Sequence, residues 1–75
     1  MSLRINFTLN RKSYTAKVTE DSINGSHLWV VEVDNGSIYL FTREARGWHC
    51  AELGKDTCRV IGKAIDEALA QLQPV

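Results

Sequence analysis

Alternation of apolar and polar side chains is the feature of this chain that most restricts its fold. In residues 3–9 (LRINFTL), every second side chain is apolar. The same period of two returns in residues 14–18 (YTAKV), and residues 27–33 (HLWVVEV) and 37–41 (SIYLF) form two further strand-like segments on either side of a turn. Because successive side chains of a β-strand point to opposite faces of a sheet, this pattern predicts four half-buried strands.

The first two strands are predicted to form a hairpin around the NRKS sequence at residues 10–13. We expect apolar residues to face each other across this turn in three pairs: Leu9 with Tyr14, Phe7 with Ala16, and Ile5 with Val18. Such a register places all the apolar side chains of the hairpin on one face of the sheet.

A second hairpin is indicated by Asn35 and Gly36, since an Asn-Gly pair between alternating segments favours a two-residue loop. That loop length predicts one apolar face, which carries Trp29, Val31, Val33, Ile38 and Leu40. The opposite face then receives Leu28, Val30, Glu32, Tyr39, Phe41 and Arg43.

A fifth strand is predicted over residues 48–53 (WHCAEL), and its orientation depends on the preceding turn. If Arg43 pairs with Trp48, then Trp48 and Cys50 lie outside, with His49 toward the core. If Gly47 forms a bulge, the pairing shifts by one residue, and Trp48 and Cys50 lie inside. The sequence leaves both orientations open.

A C-terminal helix follows, with Asp56 or Thr57 placed to cap its first turn. Its apolar residues recur at helical spacing: Ile61, Ile65, Ala68, Leu69 and Leu72. Its other faces carry Arg59, Lys63, Asp66, Glu67 and Gln71. The prediction is one small α+β domain over residues 1–75, an antiparallel meander of four to five strands with the helix packed on one sheet face.

The composition is that of an ordinary globular protein, with 44% hydrophobic and 24% charged residues among 75. A chain of this length buries little more than about 60% of its unfolded surface, so small domains often gain stability from a second copy. Nine basic residues balance nine acidic ones. Nucleic-acid binders usually carry a basic excess, so this balance disfavours that class.

One helix can cover only one face of the sheet, and the other face is apolar over the second hairpin. A contiguous uncovered apolar patch marks an interface in many proteins. We therefore predict a non-enzymatic interaction module that associates, as a homodimer or with another protein, through six residues: Leu28, Val30, Tyr39, Phe41, Arg43 and Trp48. The alternatives are that loops or the first residues cover this face, or that its exposure is tolerated.

Single-stranded nucleic acid is the second candidate partner, because exposed aromatic rings beside basic side chains can stack bases. Tyr39, Phe41 and Trp48 would supply the rings, and Arg43 the charge. A meander followed by a C-terminal helix resembles in topology the Pur-alpha, Whirly and positive-coactivator folds, which implies the same partner. Glu32 on this face would repel phosphate.

The two cysteines, Cys50 and Cys58, lie in a segment that also contains Trp48 and His49. They lack the paired spacing of zinc ligands, so neither a metal nor a cofactor is predicted. A disulfide, a reactive Cys58 thiol at the helix start and two small core side chains are the alternatives, and we expect the last. No catalytic residue is predicted.

The beginning of the sequence lacks the apolar run of a signal peptide, and no segment approaches the length of a membrane span. We therefore expect a cytoplasmic protein with reduced thiols and no membrane partner.

Overall fold

The computed structural model of the protein describes residues 2–45 and 47–72. The elements along this part of the chain are β1 (Ser2–Leu9), β2 (Lys12–Ile23), β3 (Ser26–Val33), β4 (Ile38–Glu44), β5 (Gly47–His49) and α1 (Lys55–Leu72). The strands form an antiparallel meander in the order β1-β2-β3-β4-β5, and the sheet is curled around α1. The predicted α+β class is confirmed.

The first hairpin has a tighter turn than the sequence analysis predicted. Asn10 and Arg11 both adopt positive φ angles, 51° and 66°, and Leu9 pairs directly with Lys12. Two consecutive residues in this region give a two-residue turn whose twist matches that of the strands. The predicted register was therefore wrong by two residues, and Phe7 lies opposite Tyr14. A shift by two leaves every side chain on its expected face.

The second hairpin differs in a way that changes faces. Val33 N–H donates to the Ser37 carbonyl at 2.8 Å, and Gly36 N–H donates to the Val33 carbonyl at 2.9 Å. Gly36 has a φ of 92°, so the loop contains three residues, a turn followed by a glycine bulge. The predicted two-residue loop was wrong.

The additional loop residue reverses the side chains of β4. Val31 pairs with Tyr39 and Trp29 with Phe41, one residue away from the predicted register. A shift by one residue exchanges the two faces of a strand. Tyr39 and Phe41 therefore face the core, contrary to the prediction, while Ile38 and Leu40 point outward and are 58% and 45% exposed.

β5 is shorter than the predicted fifth strand. Its pairing of Arg43 with Trp48 is one of the two alternatives that the sequence left open. That alternative was expected to place Trp48 outside. The reversal of β4 turns Arg43 inward, however, and Trp48 lies on the same face as its partner Arg43. Trp48 consequently packs against the core, and Cys50 is buried. A turn closed by Leu53 N–H donating to the Cys50 carbonyl at 3.2 Å then leads toward the helix.

The helix begins before the predicted capping residues. Lys55 is its first residue, and the carbonyl of Gly54 accepts the first helical hydrogen bond from Cys58 N–H at 3.0 Å. Gly54 therefore occupies the cap position, and the prediction of Asp56 or Thr57 there was wrong. Asp56 lies in the first turn, where its negative charge interacts favourably with the helix dipole.

The apolar face of α1 was predicted correctly. Ile61 and Ile65 are buried, and Ala68 and Leu69 are half-buried against the same cluster, whereas the side chain of Leu72 lies outside the described residues. The helix packs on β1 and β5, the two ends of the strand order, and so closes the curl of the sheet. The buried core consists of Leu3, Ile5, Phe7, Ala16, Val18, Trp29, Val31, Val33, Phe41, Cys50, Cys58, Ile61 and Ile65.

Candidate functional site

The six residues predicted as an interface do not form one surface. Leu28 and Val30 lie on the outer face of the sheet and are half-buried. Phe41 is fully buried in the core, and Tyr39 and Trp48 pack against that core on the inner side. The three-residue loop around Gly36 explains the division, because it turns the aromatic side chains of β4 inward.

An apolar surface is nevertheless present on the outer face, and it has a different composition. It consists of Leu28 and Val30 on β3 and Ile38 and Leu40 on β4, and we call it the outer patch. Val30 lies directly opposite Leu40 in the register. Sequence reasoning missed Ile38 and Leu40. The relevant signal is the DNG sequence at residues 34–36, which suits a glycine-bulge loop as well as a two-residue turn.

Polar and charged side chains border the outer patch on β2 and β3. Thr19 pairs with Val30, Asp21 with Leu28, and Lys17 with Glu32. Beyond this border, Thr15 donates a hydrogen bond from Oγ1 to Asn6 Oδ1 at 3.0 Å. The outer face is therefore polar on β1 and β2 and apolar on β3 and β4, with charges of both signs between the two areas.

A second group of contacting side chains connects the inner side of β4 and β5 to the helix. Trp48 donates from Nε1 to Asp66 Oδ1 at 3.0 Å, and Arg43 Nη2 lies 3.6 Å from the same oxygen. The Arg43 guanidinium lies 5.5 Å from the centre of the Trp48 ring, within cation–π distance. Trp29 meets the same indole edge to face, with a centroid separation of 5.4 Å.

The helix accommodates this indole because it has a glycine at the contact point. A Cβ atom on Gly62 would lie 2.5–2.8 Å from the Cδ1, Cγ and Cβ atoms of Trp48. Carbon atoms do not approach this closely, so any larger residue requires Trp48 to move. The contact between Gly62 and Trp48 thus sets the position of β5 over α1.

Beside this contact, an open groove of about 640 Å³ runs between the β4–β5 hairpin and α1. Its helical side carries three basic residues, Lys55, Arg59 and Lys63, which are exposed. Its other residues include Glu44 and Asp66, two carboxylates. Arg59 and Lys63 were predicted only to lie on the polar side of the helix, and the groove was not predicted.

The cysteines are free, and both are buried. Cys58 Sγ lies 3.6 Å from the Cys50 carbonyl oxygen and 3.7 Å from that of Leu53, so it donates weakly to the turn before the helix. Burial raises the pKa of the Cys50 thiol, with a smaller raising contribution from neighbouring Cys58. A raised pKa disfavours the nucleophilic thiolate at Cys50. His49 is exposed, whereas Cys50 beside it is buried.

In residues 2–45 and 47–72, no three His, Cys, Asp or Glu side chains come together as a possible metal site. The same residues include no helix with the length and apolar character needed to cross a bilayer. Comparison with known proteins gave no matching family model, curated protein or solved structure.

Proposed function

We propose that this chain is a non-enzymatic association module, acting in the cytoplasm, that forms a homodimer through its outer patch. The observation that carries the proposal is the exposure of Ile38 and Leu40, at 58% and 45%, on the same sheet face as Leu28 and Val30, where Leu40 lies opposite Val30 and Ile38 lies opposite Glu32. Apolar side chains grouped in this way are typical of interfaces.

Charges at the border of the patch favour a second copy as the partner. Lys17 and Glu32 lie next to each other, so this edge carries both signs. In a two-fold dimer the same surface meets itself, and each positive group can approach the negative group of the other copy. A stable interface buries about 800 Å² per partner, more than four side chains provide, so this polar border must take part.

Binding of single-stranded nucleic acid receives less support. That hypothesis required Tyr39 and Phe41 as stacking platforms on an open surface, but Phe41 is fully buried and Tyr39 packs against the core. The outer patch offers aliphatic side chains instead, which do not stack bases.

The test is the solution mass measured by light scattering behind a sizing column, under reducing conditions and at two salt concentrations. We expect twice the mass of one chain at both salt concentrations, since the centre of the contact is apolar. Leu40→Lys should give the mass of one chain and an unchanged far-UV spectrum, because Leu40 lies outside the core. Thr8→Lys, an exposed outer-face position on β1, is the matched control and should remain dimeric. A monomeric wild type, or a dimeric Leu40→Lys variant, would contradict the proposal.

A further inference from the structure

β5 lies at the end of the strand order, so one of its edges has no neighbouring strand in the described sheet. Glu44 pairs with Gly47 at the turn, and hydrogen-bonded and non-hydrogen-bonded pairs alternate along an antiparallel ladder. The pair that closes a hairpin turn is a hydrogen-bonded one, so the next pair along the ladder, Arg43–Trp48, is a non-hydrogen-bonded pair. The N–H and C=O of Trp48 are therefore directed away from β4, toward the open edge.

This edge borders the groove beside α1, whose opposite wall is basic. Lys55, Arg59 and Lys63 follow one another at intervals of four residues, which places them in a row on one helix face. Like charges at this spacing destabilise a helix slightly, and a bound anion would relieve the repulsion. Of the two carboxylates in the groove, Asp66 already accepts from Trp48 and lies beside Arg43, which leaves a basic excess.

The spacing of the basic side chains along the helical wall matches the spacing of alternate residues in an extended peptide. Four residues of a helix advance about 6 Å, and two residues of a strand advance about 6.6–6.8 Å. Every second side chain of a strand that runs along the groove therefore meets the next basic side chain of the row. Acidic residues at alternate positions would pair in turn with Lys55, Arg59 and Lys63.

We propose that the groove between β5 and α1 binds an extended acidic peptide segment of another protein as an additional strand of the sheet. The backbone of the peptide pairs with Trp48, and its alternate carboxylates face the basic row. Addition of a strand to a free sheet edge is a common mode of peptide recognition. A nucleic-acid strand is disfavoured because it has no peptide backbone to match the Trp48 N–H and C=O.

The test uses the full chain and a blocked octapeptide in which glutamate and threonine alternate, followed by NMR titration of the backbone amides. We expect shifts concentrated in residues 47–49 and 55–63, with slower hydrogen exchange at the Trp48 amide. The same peptide with glutamine in place of glutamate should bind at least about tenfold more weakly, because the ion pairs are lost.

Charge-reversal variants locate the site. Arg59→Glu combined with Lys63→Glu should reduce affinity for the glutamate peptide by about tenfold or more. Arg4→Glu combined with Lys12→Glu makes the same change in net charge at exposed positions outside the groove, and its affinity should equal that of the wild type. Both double variants change exposed side chains, and their folding is checked from the dispersion of the same amide spectra.

Four results would overturn the inference: no binding of the glutamate peptide, equal binding of the glutamine peptide, unchanged exchange at the Trp48 amide on binding, or equal weakening by the two double variants. An oligothymidylate that binds more tightly than the peptide and loses affinity in the Arg59→Glu, Lys63→Glu variant would also overturn it, in favour of nucleic acid.

Discussion

At the scale of single residues, the contact between Gly62 and Trp48 limits what position 62 of the helix can hold. Alanine is preferred over glycine within a helix by about 1 kcal/mol. At position 62, however, the added methyl group would overlap three atoms of the Trp48 side chain. The indole would have to leave its hydrogen bond with Asp66 and its edge contact with Trp29.

We therefore expect Gly62→Ala to lower the free energy of unfolding by about 1–2 kcal/mol, because overpacking exceeds the gain in helix propensity. In a Trp48→Ala background the methyl group has room, and the same substitution should raise stability by up to about 1 kcal/mol. Urea unfolding of the four proteins of this cycle measures the difference. Equal effects of Gly62→Ala in both backgrounds would show that the Trp48 contact does not limit this position.

The buried thiol of Cys50 makes the free energy of unfolding depend on pH. Since burial raises the pKa of its thiol, the folded state holds this proton more tightly than the unfolded state does. Release of the proton at high pH therefore favours unfolding. This contribution to stability is complete below the ordinary thiol pKa of about 8.5, and it is lost as the pH rises through the raised pKa of the folded state.

We expect the free energy of unfolding to decrease, as the pH rises above about 8.5, more steeply in the wild type than in Cys50→Ala, which lacks this proton. Unfolding by urea across this range, under reducing conditions, gives both slopes. The comparison of slopes separates the titration from the cost of the substitution itself, and parallel slopes would contradict the expectation.

At the scale of elements, the β3–β4 hairpin shows how the length of one loop determines which side chains form the outer surface of the sheet. The strands β3 and β4 are visible in the sequence, and so is the turn between them. Both faces of β4 are apolar, however, since Ile38 and Leu40 alternate with Tyr39 and Phe41. Binary patterning therefore does not distinguish a two-residue loop from a three-residue loop.

The first hairpin shows the opposite case. Its polar residues alternate strictly with apolar ones, so an error of two residues in the predicted register left the faces correct. The apolar stripe of α1 was equally predictable from its spacing. The groove was not, because it depends on the curl of the sheet and on how closely Gly62 lets β5 approach the helix.

Alanine substitutions at neighbouring positions of β4 test its register directly. We expect Phe41→Ala to cost about 3–5 kcal/mol, as for a buried phenylalanine, and Leu40→Ala at most about 1 kcal/mol, because Leu40 is half exposed. Chemical unfolding at a concentration at which light scattering shows monomers excludes any effect on association. A larger cost at Leu40 than at Phe41 would indicate the two-residue loop.

At the scale of the whole molecule, the fold has two distinct outward features on opposite sides. The outer patch belongs to β3 and β4, whereas the basic groove belongs to β5 and α1. A small domain has little surface to bury internally, so burial of the patch against a second copy would add substantially to its stability. The groove lies outside the outer patch, so the proposed dimer would leave it available.

Because a dimer forms only from folded chains, the proposed association makes thermal stability depend on protein concentration. At a partner concentration of about 100 times the dissociation constant, association adds about 2.7 kcal/mol. For a domain of this size, that corresponds to a rise in the unfolding midpoint of about 10 °C or more. We expect such a rise for the wild type when its concentration increases from well below to well above the dissociation constant.

The outer-face variants separate association from intrinsic stability. Leu40→Lys should unfold at the same temperature at every concentration, while Thr8→Lys should follow the wild type. Circular dichroism in cells of different path length covers the required range of concentrations. A wild-type midpoint that stays constant over this range would exclude coupling between folding and self-association, and the exposed Ile38 and Leu40 would then have to be explained by a partner other than a second copy.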